Sequence, residues 1–118
     1  MKQIIIIMSL LSMFFGTDQS SAVKVLSVAE YKAQIESGKV QLIDVRTPNE
    51  YISGHIKNAK NIDFFAPSFE SQFQKLNKEK PVYIYCRSGA RSKKASNKLV
   101  AMGFTEIYDL KGGYLNWK

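Results

Sequence analysis

Three short apolar runs along the chain predict buried strands. Residues 40–43, 82–85 and 107–110 are rich in aliphatic, β-branched and aromatic side chains. Runs of this length, bounded by polar or turn-forming residues, are typical of strands in the interior of a sheet. We therefore expect one strand that ends at Asp44, a second that ends directly before Cys86, and a third that precedes a glycine turn.

Helix signals separate these runs. Two capping-box patterns, in which Ser or Thr is followed three residues later by Glu, predict helix starts. They are Ser27 to Glu30, stopped by Gly38, and Thr47 to Glu50, with Pro48 at the first helical position and Gly54 behind it. Apolar residues at helical spacing predict two more helices. Their markers are Phe69, Phe73 and Leu76, then Ala95, Leu99 and Met102, and a last short helix is expected over 114–117.

The alternation of strands and helices predicts an α/β domain with a mainly parallel sheet. No repeat or linker interrupts it, so we expect a single domain over residues 23–118. In such sheets the functional crevice lies beyond the carboxyl ends of the strands. Asp44, Cys86 and the turn at residues 111–113 each follow a predicted strand and should meet at that edge.

Residues 1–22 have the composition of a secretory signal peptide. Lys2 precedes an apolar run of about a dozen residues, and a polar stretch with Ser20 and Ala22 follows. The run is shorter than the roughly 20 residues that a spanning helix needs. Small residues three and one positions before the cut favour cleavage after Ala22. We expect a periplasmic or secreted protein without stable membrane insertion after cleavage.

The chain is basic, with 17 Lys and Arg against 10 Asp and Glu, and a net charge of +7. This charge indicates either a solvated lysine-rich surface or attraction of an anion. No zinc-finger spacing or aromatic-basic pattern is present, which argues against a nucleic-acid partner. A single cysteine and a single histidine exclude an intramolecular disulfide and argue against a zinc site.

The segment from Cys86 to Ser92 carries the candidate chemistry. A loop between a strand and a helix can curl so that its backbone N–H groups surround an anion. Gly89 supplies the conformational freedom for such a curl, and Ser92 is expected to help cap the helix. A cysteine beside these donors is favoured as a thiolate. Arg87 and Arg91 add positive charge for an anionic substrate.

Four separated motifs in this chain resemble the rhodanese-like family. They are Leu42–Arg46 with Glu50-Tyr51, Gly54–Ala59 and Asn61-Ile62; Val82–Ser92; Met102–Phe104; and Leu110–Gly113 with Trp117. The resemblance covers nearly all of residues 23–118 in the same order. It implies a central five-stranded parallel sheet flanked by helices. It also implies sulfur transfer through a persulfide on Cys86, without a metal or an organic cofactor.

We therefore expect a sulfurtransferase with Cys86 as the catalytic residue. Its thiolate attacks an anionic sulfur donor such as thiosulfate, and a thiophilic acceptor, cyanide or a thiol, then removes the sulfur. Loop N–H groups stabilise the persulfide, as in an oxyanion hole. The substrate-binding residues are expected to be Arg87, Ser88, Gly89, Ala90, Arg91 and Ser92.

Two other functions fit the same motif. A sulfur relay or binding module would hand the persulfide sulfur to a protein partner. A phosphatase or arsenate-type enzyme would use a related cysteine loop with five residues between Cys and Arg. Here only four residues separate Cys86 from Arg91. The tighter ring suits a sulfur atom better than a phosphoryl group.

Four polar residues are expected to stabilise the fold near the site. Asp44, Arg46 and Glu50 are interpreted as a charge network in which Arg46 pairs with Glu50. The same Asp44 is an alternative candidate for the floor of the site. His55 is interpreted as a structural hydrogen-bonding residue, because a thiolate nucleophile needs no general base to remove its proton.

Overall fold

A computed structural model describes residues 21–117, in which short strands and helices alternate. The order is β1 (Val23–Leu26), α1 (Val28–Ile35), β2 (Gln41–Asp44), α2 (Pro48–Ile52), β3 (Lys60–Asn61), α3 (Phe69–Phe73), β4 (Val82–Tyr85), α4 (Ala90–Ala101), β5 (Ile107–Leu110) and α5 (Gly113–Trp117). The predicted signal peptide lies almost wholly outside these described residues.

Among the described residues, five parallel strands form one sheet in the order β1-β5-β4-β2-β3. The predicted α/β fold with a five-stranded parallel sheet is confirmed. Strand β4 lies at the centre, where Ile84 pairs with Ile43 on one side and with Asp109 on the other. The loop after β4 is therefore held between neighbouring strand ends at the carboxyl edge.

The hydrophobic pattern predicts β2, β4 and β5 but does not reveal the two edge strands. β1 carries Val25, which is 60% exposed, and β3 contains only two residues. Edge strands are paired on one side only, so they need less apolar surface than central strands. Their identity as strands depends on hydrogen bonds to β5 and β2 rather than on their own composition.

Both faces of the sheet are covered by apolar side chains. One core contains Phe73, Leu99 and Ile107, between the sheet and the helices α3 and α4. The other contains Tyr31 and Tyr85 and lies under α1 and α5. Coverage on both faces explains why the central strands are continuously apolar.

Both predicted capping boxes are confirmed. The Ser27 hydroxyl accepts from the Glu30 N–H, and the Thr47 hydroxyl accepts from the Glu50 N–H, each with the reciprocal bond from Glu to the cap. Helix α3 is shorter than the spacing of Phe69, Phe73 and Leu76 predicts. It ends at Phe73, and Leu76 lies in the turn that follows.

Across residues 21–117, every helix is too short or too polar to span a bilayer.

Candidate active site at the carboxyl edge of the sheet

The sulfur of Cys86 lies inside a tight loop at the end of β4. Its side chain is 1% exposed, and Sγ accepts a hydrogen bond from the Gly89 N–H at 3.0 Å. The thiol donates to Ser92 Oγ at 3.4 Å, and the Ser92 hydroxyl donates to the Gly89 carbonyl at 3.2 Å. The Gly89 N–H is thus a donor to the sulfur, as a thiolate or persulfide needs.

The start of helix α4 differs from the prediction for Ser92. Gly89 is the N-cap, with φ of 116°, and among the described residues no side chain forms a cap hydrogen bond. Ser92 is the third residue of α4, and its hydroxyl contacts the sulfur and the Gly89 carbonyl instead of the first N–H groups. The loop leaves β4 so abruptly that the left-handed conformation of Gly89 is needed to enter the helix.

Helix α5 donates hydrogen bonds to the start of the segment Cys86–Ser92, which we call the sulfur loop. The N–H of Tyr114 donates to the Cys86 carbonyl at 2.8 Å, and the N–H of Leu115 donates to the Arg87 carbonyl at 3.1 Å. A Cβ on Gly113 would lie 2.4 Å from the Arg87 carbonyl oxygen. Because Gly113 has no side chain, α5 can approach closely enough to hydrogen-bond the carbonyls of Cys86 and Arg87, and these bonds fix the direction of the two carbonyls.

Arg46 pairs with Asp44, so the predicted Arg46–Glu50 pair is wrong. Arg46 Nη2 lies 2.6 Å from Asp44 Oδ2 and 2.6 Å from the Gly54 carbonyl, and Nε contacts both carboxylate oxygens. The guanidinium also stacks 4.4 Å from the centroid of the Tyr114 ring. Both partners are buried, and the pair ties β2, α2 and α5 together.

Glu50 pairs with Arg91 of the sulfur loop. Two bonds of 2.7 and 3.0 Å join the guanidinium to the carboxylate in a bidentate arrangement. The Arg91 hydrogen bond is the main cause that lowers the pKa of Glu50 to about 2, with help from Thr47. The same bond raises the pKa of Arg91. Arg91 is therefore engaged by the protein, whereas the other loop arginine, Arg87, is exposed.

In the described part of the chain, the loop borders a small cavity and a larger one. A cavity of about 200 Å³ lies beside Arg87; its other lining residues are Arg46, Glu50, Ser53, Gly54, Tyr114 and Leu115. A larger cavity of about 490 Å³ lies between β1, β5 and α4 and is lined in part by Gly89, Lys93 and Asp109. Both open onto basic side chains, which favours anionic ligands.

The structure brings Asp44, Cys86 and the turn at residues 111–113 to one edge of the sheet. His55 is exposed; it stacks on Tyr51 with its Nδ1 2.8 Å from the Tyr51 carbonyl, which agrees with a structural role. The sequence interpretation missed Asp109, which is buried on β5 close to Ser92. A lone acidic residue within an apolar strand was the available signal.

Comparison with known proteins agrees with this geometry. The model of the rhodanese-like domain family matches residues 27–118. "Thiosulfate sulfurtransferase GlpE" of Coxiella burnetii is 34% identical over 95 residues, covering 80% of this chain and 87% of that protein. "Uncharacterized protein YqhL" of Bacillus subtilis is 41% identical over 99 residues, covering 84% of this chain and 75% of that protein. A crystal structure of a rhodanese-like domain protein from Staphylococcus aureus superposes with a TM-score of 0.71 at 34% identity, covering 80% of this chain and 91% of that one.

Proposed function

The chain belongs to the rhodanese-like domain family, and from this premise we propose that it transfers sulfane sulfur from thiosulfate to a thiophilic acceptor through a Cys86 persulfide. The main support is the position of Cys86 Sγ, which lies 3.0 Å from the Gly89 nitrogen inside the curled loop. Such a donor stabilises the negative charge of a thiolate and of the persulfide that replaces it.

In the first step the Cys86 thiolate attacks the outer sulfur of thiosulfate. A new S–S bond forms at Cys86, the original bond between the two sulfurs of thiosulfate breaks, and sulfite leaves with the bonding electron pair. In the second step a thiolate or cyanide attacks the outer sulfur of the persulfide. The Cys86 thiolate leaves and is ready for another cycle.

The two loop arginines have different roles in this proposal. The exposed Arg87 lines the cavity of about 200 Å³ and attracts the thiosulfate dianion or the departing sulfite. Arg91 is held by Glu50, so it positions the loop and contributes a fixed positive charge beside Cys86. The same pairing disfavours phosphatase chemistry, which needs the loop arginine free to bind the phosphoryl oxygens.

Mass spectrometry of the intact protein tests the proposal. We expect the reduced protein to gain one sulfur atom after incubation with thiosulfate and to lose it again when cyanide is added, with release of thiocyanate. Cys86→Ser should gain nothing. A folded wild-type protein that gains no sulfur would overturn the thiosulfate mechanism. Sulfur loading with negligible turnover on cyanide and small thiols would instead assign the relay function.

A further inference from the structure

The larger cavity is lined by a buried carboxylate that lacks a counter-ion. Asp109 is 5% exposed, and its Oδ1 has no hydrogen-bond partner within residues 21–117. Neither ion pair of the described residues involves it. A charge removed from water in this way destabilises the protein unless a cation or hydrogen-bond donors compensate it. The cavity therefore favours a ligand that brings a positively charged donor to Asp109.

Ser96 adds a second acceptor to the same cavity. Its side chain is 1% exposed, and its hydroxyl hydrogen is used in a bond of 2.8 Å to the Ser92 carbonyl. A hydroxyl engaged in this way offers only its lone pairs to a ligand. A primary ammonium has three N–H donors, which is enough for the Asp109 carboxylate and Ser96 Oγ together.

Two lysines give the cavity the opposite charge as well. Lys93 of α4 and Lys111 after β5 are exposed and line the cavity together with Asp109. The lysines repel a ligand that is only cationic, and the carboxylate repels a ligand that is only anionic. A ligand that carries both an ammonium and a carboxylate matches both kinds of lining charge.

The β1 side of the cavity is apolar. Val23 and Val25 of this edge strand line it, and Val25 is 60% exposed. An aliphatic side chain packed on these valines would remove apolar surface from water on both partners. The volume of about 490 Å³ lies within the usual range of small-molecule sites.

We propose that this cavity binds a small zwitterion, an amino acid with an aliphatic side chain. Its ammonium pairs with Asp109 and donates to Ser96, its carboxylate pairs with the two lysines, and its side chain packs on the valines of β1. The site goes beyond the proposed sulfur transfer, since its described lining has no residue in common with that of the smaller cavity. It adjoins the sulfur loop at Gly89.

Titration with leucine and two truncated analogues, followed by amide NMR of the protein, tests the proposal. Isoamylamine is leucine without its carboxylate, and isocaproate is leucine without its ammonium. At about pH 7.5 Asp109 is ionised, because burial raises its pKa only to about 6. We expect leucine to shift the amide signals of Gly89 and Gly112, which line the cavity, and to bind about tenfold or more tightly than either analogue.

Variants of the two charged groups separate their roles. Asp109→Asn keeps the shape of the side chain, and it should weaken leucine and isoamylamine about tenfold while leaving isocaproate no weaker. Lys93→Gln combined with Lys111→Gln should weaken leucine and isocaproate but not isoamylamine. Glu106→Gln is the matched control, because it removes an exposed carboxylate just before β5 that does not line the cavity.

Three results would overturn the inference. They are an absence of leucine binding up to about 10 mM, leucine binding that a folded Asp109→Asn protein retains in full, and isocaproate binding as tight as that of leucine, which would indicate an anion site only. The outcome is independent of sulfur transfer. A wild-type protein that binds leucine but gains no sulfur from thiosulfate would keep this inference and lose the proposed function, and the reverse result would do the opposite.

Discussion

Close backbone contacts at single residues determine the shape of the sulfur loop. Gly113 is the clearest case, because a Cβ at this position would overlap the carbonyls of Cys86 and Arg87. The two hydrogen bonds from α5 to these carbonyls form only when that approach is permitted. The loop N–H groups can then turn toward the sulfur.

We expect Gly113→Ala to destabilise both the fold and the site. The added Cβ would meet backbone atoms at 2.4 and 2.5 Å, which cannot move aside as a flexible side chain would. Thermal unfolding should show a loss of several kcal/mol, on the order of 3 or more, together with reduced sulfur loading. Gly103→Ala is the control, since its φ of 105° is also left-handed but its Cβ would find only a lysine carbon at 3.7 Å. Equal losses in the two variants would show that backbone conformation alone, not the contact, explains the effect.

Asp109 should make the stability of the fold depend on pH. Its pKa is raised from 3.8 to about 6, so its stabilising contribution is full below about pH 4 and is lost as the pH rises through 6. Asp109→Asn removes this dependence. We expect the variant to gain on wild type between pH 4 and 6 and to be roughly 2–3 kcal/mol more stable above pH 7. Denaturant unfolding at several pH values measures the difference, and a constant difference across that range would contradict the assignment.

Helix α2 has five residues and contacts the sulfur loop through the Glu50 carboxylate. Thr47 caps it, and Glu50 serves both as the reciprocal partner in the cap and as the partner of Arg91. Helix α1 has the same capping box at Ser27, but within residues 21–117 its glutamate hydrogen-bonds only to the cap. The two capping boxes therefore have the same local hydrogen bonds, but only the glutamate of the Thr47 box also pairs with Arg91 of the sulfur loop.

This pair of elements gives a controlled prediction. Thr47→Ala and Ser27→Ala should each lower the free energy of unfolding by about 1 kcal/mol, the usual cost of a lost cap. Only Thr47→Ala should also slow sulfur loading of Cys86, because Glu50 then holds Arg91 less firmly. Stopped-flow loading rates beside chemical denaturation separate the two effects. A comparable slowing in Ser27→Ala would indicate general loosening of the fold instead.

At the scale of the whole molecule, the net charge of +7 attracts anionic sulfur donors. A dianion such as thiosulfate is drawn to a basic surface, and salt screens that attraction. We expect the second-order rate of sulfur loading from thiosulfate to fall severalfold between about 0.01 and 0.15 M ionic strength. The rate of alkylation by neutral iodoacetamide should stay constant over the same range. A loading rate insensitive to salt would argue that the basic residues serve solubility only.

The export role of the first 22 residues can be tested separately. We propose that they direct export and are removed after Ala22, as their charged, apolar and polar regions indicate. Protein recovered from the periplasm or medium of an expressing bacterium should have the mass of residues 23–118. Recovery of full-length protein from the cytoplasm alone would contradict the proposal.

The sequence by itself determined the two capping boxes, the three central strands, the α/β class and the loop that follows β4, but not the cap of α4. These features depend on residues within a few positions of one another, or on runs of apolar residues whose burial is the same in any sheet covered on both faces. The bounds of β4 and β5 match the predicted runs for this reason. The motifs around Cys86 predicted that it follows a strand and precedes a helix, which is where the structure has it.

Only the tertiary structure decided which charged groups meet. Arg91 lies 41 residues from Glu50, so no local pattern distinguishes this partner from others. The prediction for Arg46 failed because Glu50 bonds to its helix cap and to Arg91, whereas Arg46 pairs with Asp44, which lies two residues before it. Three other features also depend on the packing of distant segments. They are the pairing of the edge strands, the contact of Gly113 with the sulfur loop, and the burial of the Asp109 oxygen. Packing alone sets these contacts and this burial.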